Sequence, residues 1–241
     1  MKRLKTIFAG AVLLLMAPAS SYAIPTLQLY IEGSTYDAVD ESWSISSSAF
    51  TLWILGETDK NGTIYDVNLS IAHLTDETGS VSFTPTTATA GLLPSPGDSS
   101  TPVAAVHNGS GSGTVPLTGD GTPLPSHGIY GPGTDWDTYL LGDFSLTDSP
   151  IGNYTRGDDL CPGDDCTWPA MGQINAYDVA VTGYSWVQFD AFDHVISEVT
   201  TKYIKAPFSH DAETTSVPEP NALILLGSGF LGLWALKKKL F

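Results

Sequence analysis

The sequence predicts an all-β protein: an antiparallel β-sandwich or jelly-roll ectodomain followed by one C-terminal transmembrane helix. Through most of the body, apolar and polar residues alternate at a period of two, which is typical of strands that bury one face. No stretch of the body shows the 3.6-residue apolar period of an amphipathic helix. The chain also contains 24 Gly and 16 Pro, which mark turns between short strands.

Individual segments carry this alternation. In LQLYIEG, Leu27, Leu29 and Ile31 fall on one face, and IYDVNLSIAHL alternates clearly from Tyr65 to Ile71. The segment FTLWILG is apolar on both faces from Phe50 to Leu55 and therefore predicts a central strand. The segments SVSFTP and YLLGDFSL predict two shorter strands.

Two longer segments predict how the strands are connected. Residues 173–196 alternate on both sides of Thr182-Gly183, which predicts a β-hairpin. Residues 84–128 are rich in Pro, Gly, Ser and Thr. Because this composition buries little apolar surface, it predicts a long loop between two halves of one sandwich.

The N-terminus predicts export. Residues 1–23 have the features of a secretory signal peptide: a basic start, an apolar run over 7–17, and small residues at Ser21 and Ala23. A retained anchor is disfavoured because the apolar run is far shorter than the roughly 20 residues that a span needs. The body is then residues 24–216, enough for one domain or two small ones.

The C-terminus predicts a membrane helix. Residues 222–236 carry no charge and are followed by Lys237, Lys238 and Lys239. As a helix they would rise roughly 22 Å, short of a hydrocarbon layer of about 30 Å, and snorkelling lysines would compensate. The length alone would also permit a buried core helix, but the lysines and the export signal favour the membrane.

The tail over 217–241 resembles the PEP-CTERM sorting signal. Val217, Pro218, Glu219 and Pro220 correspond to its Pro-Glu-Pro motif, and the apolar run and the three lysines follow in the same order. The resemblance implies recognition and cleavage by a membrane-embedded exosortase and delivery to the surface of an exopolysaccharide-producing Gram-negative bacterium. The alternative, a GPI-type signal, normally ends in an apolar tail, whereas here lysines follow.

The charge of the body excludes some partners. Residues 24–216 contain four basic residues and 25 acidic ones, a net charge of −21. Such a body repels nucleic acid and anionic lipid and favours divalent cations or basic partners.

The segment RGDDLCPGDDC predicts a braced acidic loop. Cys161 and Cys166 predict a disulfide in an exported chain, worth about 2 kcal/mol for so small a ring. A structural Ca²⁺ on the carboxylates in this loop and a solvated acidic loop are both open readings. The tentative calcium ligands are Asp158, Asp159, Asp164 and Asp165, and weaker acidic groups are Asp135, Asp137 and Asp143, and Asp190 and Asp193.

Trp136, between Asp135 and Asp137, predicts a saccharide site, because an aromatic face can stack on a pyranose ring while carboxylates bond its hydroxyls. The competing interpretation is a core tryptophan.

No nucleophile–base pair and no zinc spacing occurs, so we expect no enzyme activity. His194 beside Asp193 could act as an acid–base pair only if the fold completed a site. The alternative function is a secreted hydrolase that acts on polysaccharide.

The body also resembles a family of exported proteins known as choice-of-anchor N. The segments that carry this resemblance are SHGIYGPGTDWDTYLLGDF, YSWVQFDAFDH and KAPFSHDAE. It implies surface display and no catalytic activity. Together with the sorting tail, we expect a structural, adhesive or exopolysaccharide-binding component of the extracellular matrix.

Overall fold

The structure, a computed structural model, describes residues 26–37, 39–87, 102–126, 128–152, 170–197, 200–206 and 211–215. Within these ranges the chain forms 13 strands and no helix, so the all-β prediction is confirmed. The strands are β1 Leu27–Ile31, β2 Thr35–Asp37, β3 Ser42–Ile45, β4 Ala49–Glu57, β5 Ile64–Leu74, β6 Ser80–Thr86, β7 Val106–Ser112, β8 Thr134–Phe144, β9 Ser149–Ile151, β10 Ala170–Thr182, β11 Trp186–Ser197, β12 Thr200–Lys205 and β13 Asp211–Thr215.

The strands form two sheets. The five-stranded sheet has the order β1-β4-β10-β6, and β9 also pairs with β10. The eight-stranded sheet has the order β2-β3-β13-β11-β5-β8-β7, and β12 also pairs with β11. The described pairs are antiparallel except β13 with β3, which are parallel.

The two sheets share one hydrophobic core. Aromatic pairs cross between them: Phe50 of β4 meets Phe189 of β11 with ring centroids 5.8 Å apart, and Phe83 of β6 meets Tyr139 of β8 at 4.9 Å. Both pairs are edge-to-face, the arrangement that the ring quadrupoles favour. Two layers around one core is the architecture of a β-sandwich, and jelly-roll connectivity stays a prediction.

Strand β4 lies between β1 and β10, which confirms the central strand predicted from its doubly apolar pattern. Leu52 and Ile54 are completely buried, as are their neighbours on the other face, Trp53 and Leu55. The only polar atom of the Trp53 side chain, Nε1, donates a hydrogen bond of 2.7 Å to Glu32. The indole is therefore buried without an unsatisfied donor.

The predicted hairpin over 173–196 is wrong, although both of its strands exist. Strand β10 belongs to the five-stranded sheet and β11 to the eight-stranded sheet, so the turn after Thr182 crosses between layers. Gly183 adopts a φ of 79°, and a Cβ there would lie 2.2 Å from the carbonyl oxygen of Thr78. A glycine is thus required by conformation and by space.

The predicted loop over 84–128 is partly wrong, because two of its described segments are strands. Strand β6 continues to Thr86, and Val106–Ser112 forms β7, which pairs with β8. This Gly- and Ser-rich strand buries little apolar surface and adds to the sheet through its backbone, so periodicity gave no signal for it.

The predicted signal peptide over 1–23 and the predicted transmembrane helix and sorting tail over 217–241 lie outside the described residues. Within the part of the chain that the structure describes, no helix has the length and apolarity to cross a bilayer.

We predict that Gly183→Ala lowers the free energy of unfolding more than Gly121→Ala. Both glycines have a positive φ, near 80°, but a Cβ at Gly121 meets nothing within 4 Å. Gly121→Ala should cost about 1–2 kcal/mol for the left-handed backbone, and Gly183→Ala a further 1–3 kcal/mol or so for the clash. Denaturant unfolding of both variants measures the difference, and equal losses would contradict the crowding at Gly183.

Candidate functional site

The outer face of the eight-stranded sheet carries the polar half of the β-strand alternation. Ser70 of β5 lies opposite Thr138 of β8 on one side and opposite Asp190 of β11 on the other. The neighbouring residues Ile71 and Phe189 point the other way, into the core. Alternation therefore places a row of polar side chains on the face away from the core.

A cavity of about 990 Å³ lies on this face. Its volume is at the upper end of the range of small-molecule sites, about 300–1,000 Å³. The sheet forms one wall and the segment from Thr114 to Pro123 the other. The side chains that line it combine aromatic rings with hydrogen-bonding groups, namely Asp66, Asn68, Asn108, Trp136, Thr138, Phe192, Asp193, His194 and Tyr203.

The segment opposite the sheet is a built turn. Thr118 N donates to the carbonyl of Thr122 at 2.9 Å, and Thr118 Oγ1 donates to Asp120 at 2.6 Å. An isolated bridge between Leu117 and Pro123 closes it. These bonds hold the wall in one shape, which favours ligand binding because little order is lost on association.

Trp136 lies half-buried at the edge of this cavity. It is therefore neither a fully exposed surface ring nor a buried core tryptophan. Its indole lies against the backbone of β7, because a Cβ at Gly111 would come within 2.5 Å of two ring carbons. Its Nε1 donates to Thr114 Oγ1 at 3.2 Å. The glycine and the hydrogen bond together fix the orientation of the ring.

Asp135 and Asp137, predicted beside Trp136, border a second cavity of about 410 Å³ that Trp136 also lines. Asp137 bonds His107 Nε2 at 2.9 Å and approaches His73 Nε2 at 3.8 Å. Hydrogen bonds from Ser112 and then Thr75 hold the pKa of Asp135 below its usual range. Asp135, Trp136 and Asp137, predicted as one site, therefore all line the smaller cavity. The two carboxylates do not line the larger cavity.

The carboxylates of the larger cavity are Asp66 and Asp193. Asp193 accepts hydrogen bonds from Asn68 Nδ2, at 3.0 Å, and from His194 Nδ1. Asn68 is itself oriented by Asn108, whose Nδ2 donates to its Oδ1 at 2.7 Å. Burial, with a smaller contribution from the charge of Asp66, raises the pKa of Asp193 to about 6.

Sequence reasoning found the Asp193–His194 neighbours and missed Asp66, Asn68 and Asn108 as partners in one cavity. The adjacent acid and imidazole gave a local signal. The others come from β5 and β7, and only strand pairing brings those strands to the same face.

The predicted disulfide Cys161–Cys166 and the tentative calcium ligands Asp158, Asp159, Asp164 and Asp165 lie outside the described residues. Among the residues that are described, no group of three or more His, Cys, Asp or Glu side chains is arranged to hold a metal ion.

Residues 216–239 match the family model of the PEP-CTERM protein-sorting motif. The chain therefore carries this motif, at the position predicted from Pro218, Glu219, Pro220 and the three lysines. The motif implies exosortase processing of an exported, membrane-anchored surface protein.

Three solved structures are distantly similar to the chain. The C-terminal domain of the AgI/II polypeptide BspA of Streptococcus agalactiae has 10% identity and a TM-score of 0.24, and the match covers 79% of this chain and 50% of that one. A second structure, BspA_C_WT, gives the same values. An inactive mutant of a GH20 exo-β-N-acetylglucosaminidase from Vibrio harveyi has 8% identity and a TM-score of 0.13, over 80% of this chain and 18% of that one. No curated protein matches the chain.

We predict that Asp193→Asn gains stability relative to the wild type as the pH rises from about 4 to 7. The raised pKa of Asp193, about 6, means that the folded state holds its proton more tightly than the unfolded state does. The wild type therefore has this stability in full below the ordinary pKa of about 3.9 and loses it as the pH rises through about 6.

Melting temperatures of both proteins at about pH 4.5 and pH 7.5 test this. The difference between variant and wild type should move in favour of Asp193→Asn at the higher pH, by the equivalent of about 1–3 kcal/mol. The exposed Asp178→Asn variant controls for the loss of one negative charge. A difference that is the same at both pH values would contradict the prediction.

Proposed function

We propose that this protein is an exosortase-sorted component of the extracellular matrix whose 990 Å³ cavity binds a saccharide. The observation that carries the proposal is Trp136, held in one orientation at the edge of a cavity whose other polar groups include amides and carboxylates. In this proposal the protein acts by binding and is not an enzyme.

The chemistry of the lining fits a sugar. A pyranose has an apolar C–H face and a rim of hydroxyls that both donate and accept hydrogen bonds. An indole face complements the first, and the amide of Asn108 with the carboxylate of Asp66 complements the second. Tyr203 supplies another ring on the same cavity.

The charge of the protein narrows the ligand class. The chain carries 26 acidic residues against ten basic ones, and two carboxylates line the cavity itself. Anionic polysaccharides would be repelled, so the proposed ligand is a neutral oligosaccharide or polysaccharide.

The sorting motif supports the location in this proposal. An exported, membrane-anchored protein that an exosortase releases reaches a surface where polysaccharide is the abundant polymer. We include in the proposal the signal peptide, the transmembrane helix, the Cys161–Cys166 disulfide and the choice-of-anchor N resemblance of the body.

One observation favours the alternative, a polysaccharide hydrolase. Asp193 has a pKa of about 6 and lies close enough to Asp66 to sense its charge. Two carboxyl groups, one of which has a raised pKa, are the pair that glycoside hydrolysis uses. Release of reducing ends from a bound polysaccharide, lost in Asp193→Asn, would establish catalysis.

We predict that Trp136→Ala abolishes retention on neutral glycans. The probes are β-glucan and chitin oligosaccharides, with uronic-acid oligosaccharides as the anionic comparison, on an array and by calorimetry. Loss of the stacking face should weaken binding at least about tenfold, the equivalent of about 1.4 kcal/mol. Trp136→Phe should retain part of the affinity.

Trp186→Ala is the matched control, since this half-buried tryptophan lines a different cavity. Thermal melting of each variant confirms folding. Equal binding by Trp136→Ala and the wild type, or no retention of the wild type on any probe, would refute saccharide binding in this cavity.

We predict that deletion of residues 217–241 releases the protein from the cell envelope into the medium. The deletion removes the whole sorting motif apart from Ser216. Fractionation followed by immunoblotting measures the shift. A second variant changes Lys237, Lys238 and Lys239 to Gln and keeps the Pro-Glu-Pro motif and the apolar run. It tests whether the basic end alone is needed for retention in the envelope. Retention of the truncated protein in the envelope would contradict the sorting role.

A further inference from the structure

A second feature of the outer face is a set of buried oxygen atoms without hydrogen-bond partners. They are one carboxylate oxygen each of Asp190 and Asp211 and the hydroxyl oxygens of Ser42, Ser70 and Tyr130. All five side chains belong to residues that are at most 7% exposed. Buried polar atoms are nearly always satisfied in folded proteins, so five orphans in one region require an explanation.

Strand register brings four of these residues into one row. Asp190 of β11 lies opposite Ser70 of β5, and Asp211 of β13 lies opposite Ser42 of β3. Phe189 lies opposite Ala212, so the antiparallel register of β11 and β13 puts Asp190 beside Asp211. The row therefore runs Ser42, Asp211, Asp190, Ser70 across four adjacent strands.

Tyr130 lies in the segment between β7 and β8, which covers this part of the sheet, and is buried there. Burial and, after it, the charge of Asp190 raise the pKa of its phenol, with a further contribution from Asp211. The Tyr130 phenol is therefore within electrostatic range of both carboxylates. The row is separate from the saccharide cavity, whose lining includes none of these five residues.

The two carboxylates have no cation of their own. No ion pair joins either of them to a described Lys, Arg or His side chain. Lys205 lowers the pKa of Asp190 from a distance and is itself exposed. Two neighbouring buried carboxylates without a counter-ion would cost several kcal/mol each if both were ionised.

We propose that Asp190 and Asp211 bind a calcium ion between β11 and β13, with the hydroxyls of Ser42, Ser70 and Tyr130 as the flanking oxygens. The donors are all hard oxygen atoms, which Ca²⁺ prefers, and no imidazole or thiolate is among them. Ca²⁺ takes six to eight oxygens, so water and backbone carbonyls complete the shell. A divalent ion balances the two negative charges.

The competing explanation is one proton shared by the two carboxyls. A shared proton satisfies the carboxylate oxygens and needs no metal. It predicts a protein that does not respond to Ca²⁺, so the two explanations differ in a direct measurement.

The test uses the full chain, stripped with EDTA and titrated with Ca²⁺ by calorimetry and thermal melting at neutral pH. The wild type should bind and melt at a higher temperature with millimolar Ca²⁺. Asp211→Asn and Asp190→Asn should each weaken binding at least about tenfold.

Asp178→Asn, an exposed carboxylate of the other sheet, is the matched control and should respond to Ca²⁺ as the wild type does. The combined Asp158→Asn, Asp159→Asn, Asp164→Asn and Asp165→Asn variant should keep the binding assigned to this site. A wild type whose melting temperature ignores Ca²⁺ would overturn the proposal. Unchanged Ca²⁺ affinity in Asp190→Asn and Asp211→Asn would also overturn it.

Discussion

Packing of the two sheets against each other determines which side chains of the eight-stranded sheet face away from the core. Phe189 and Ile71 enter the shared apolar cluster, and alternation then directs Asp190 and Ser70 to the opposite face. That face is ordinarily solvated in an antiparallel sheet. Here the segment that contains Tyr130 covers part of it, and Tyr130 is only 6% exposed. A polar interior forms as a result, and the 990 Å³ cavity borders the same sheet.

The sequence predicted the positions of the strands with alternating apolar residues but not which strands are neighbours. A period of two reports which residues share a face, and it correctly indicated β1, β4, β5, β10 and β11. It also indicated that β4 is central, because both of its faces are apolar. Periodicity is silent on pairing, so two consecutive alternating segments looked like a hairpin although they belong to different sheets. It also missed the short strands β2, β3, β9, β12 and β13, and β7, whose glycines leave no apolar face to detect.

The candidate sites were predictable to the same partial degree. Trp136 could be selected because acidic neighbours and glycines surround it in the sequence. Yet adjacent residues of a strand point to opposite faces, so Asp135 and Asp137 line the smaller cavity and not the larger one. The carboxylates of the larger cavity come from Asp66 and Asp193. The Asp190–Asp211 pair has no sequence signature at all. It exists because β13 inserts between β3 and β11, which is a property of the whole sheet.

The insertion of β13 has a mechanical consequence. This strand is bonded on both edges, parallel to β3 and antiparallel to β11, and Thr214 Oγ1 adds a bond of 3.1 Å to the carbonyl of Ile45. It ends at Thr215, and the sorting motif begins with the next residue. Tension that reaches the domain along this strand would load all of its interstrand bonds in shear, simultaneously. Peeling from a sheet edge would break the same bonds one after another at lower force. The sorting motif therefore joins the domain at an interior strand, an attachment that resists pulling better than an edge strand does.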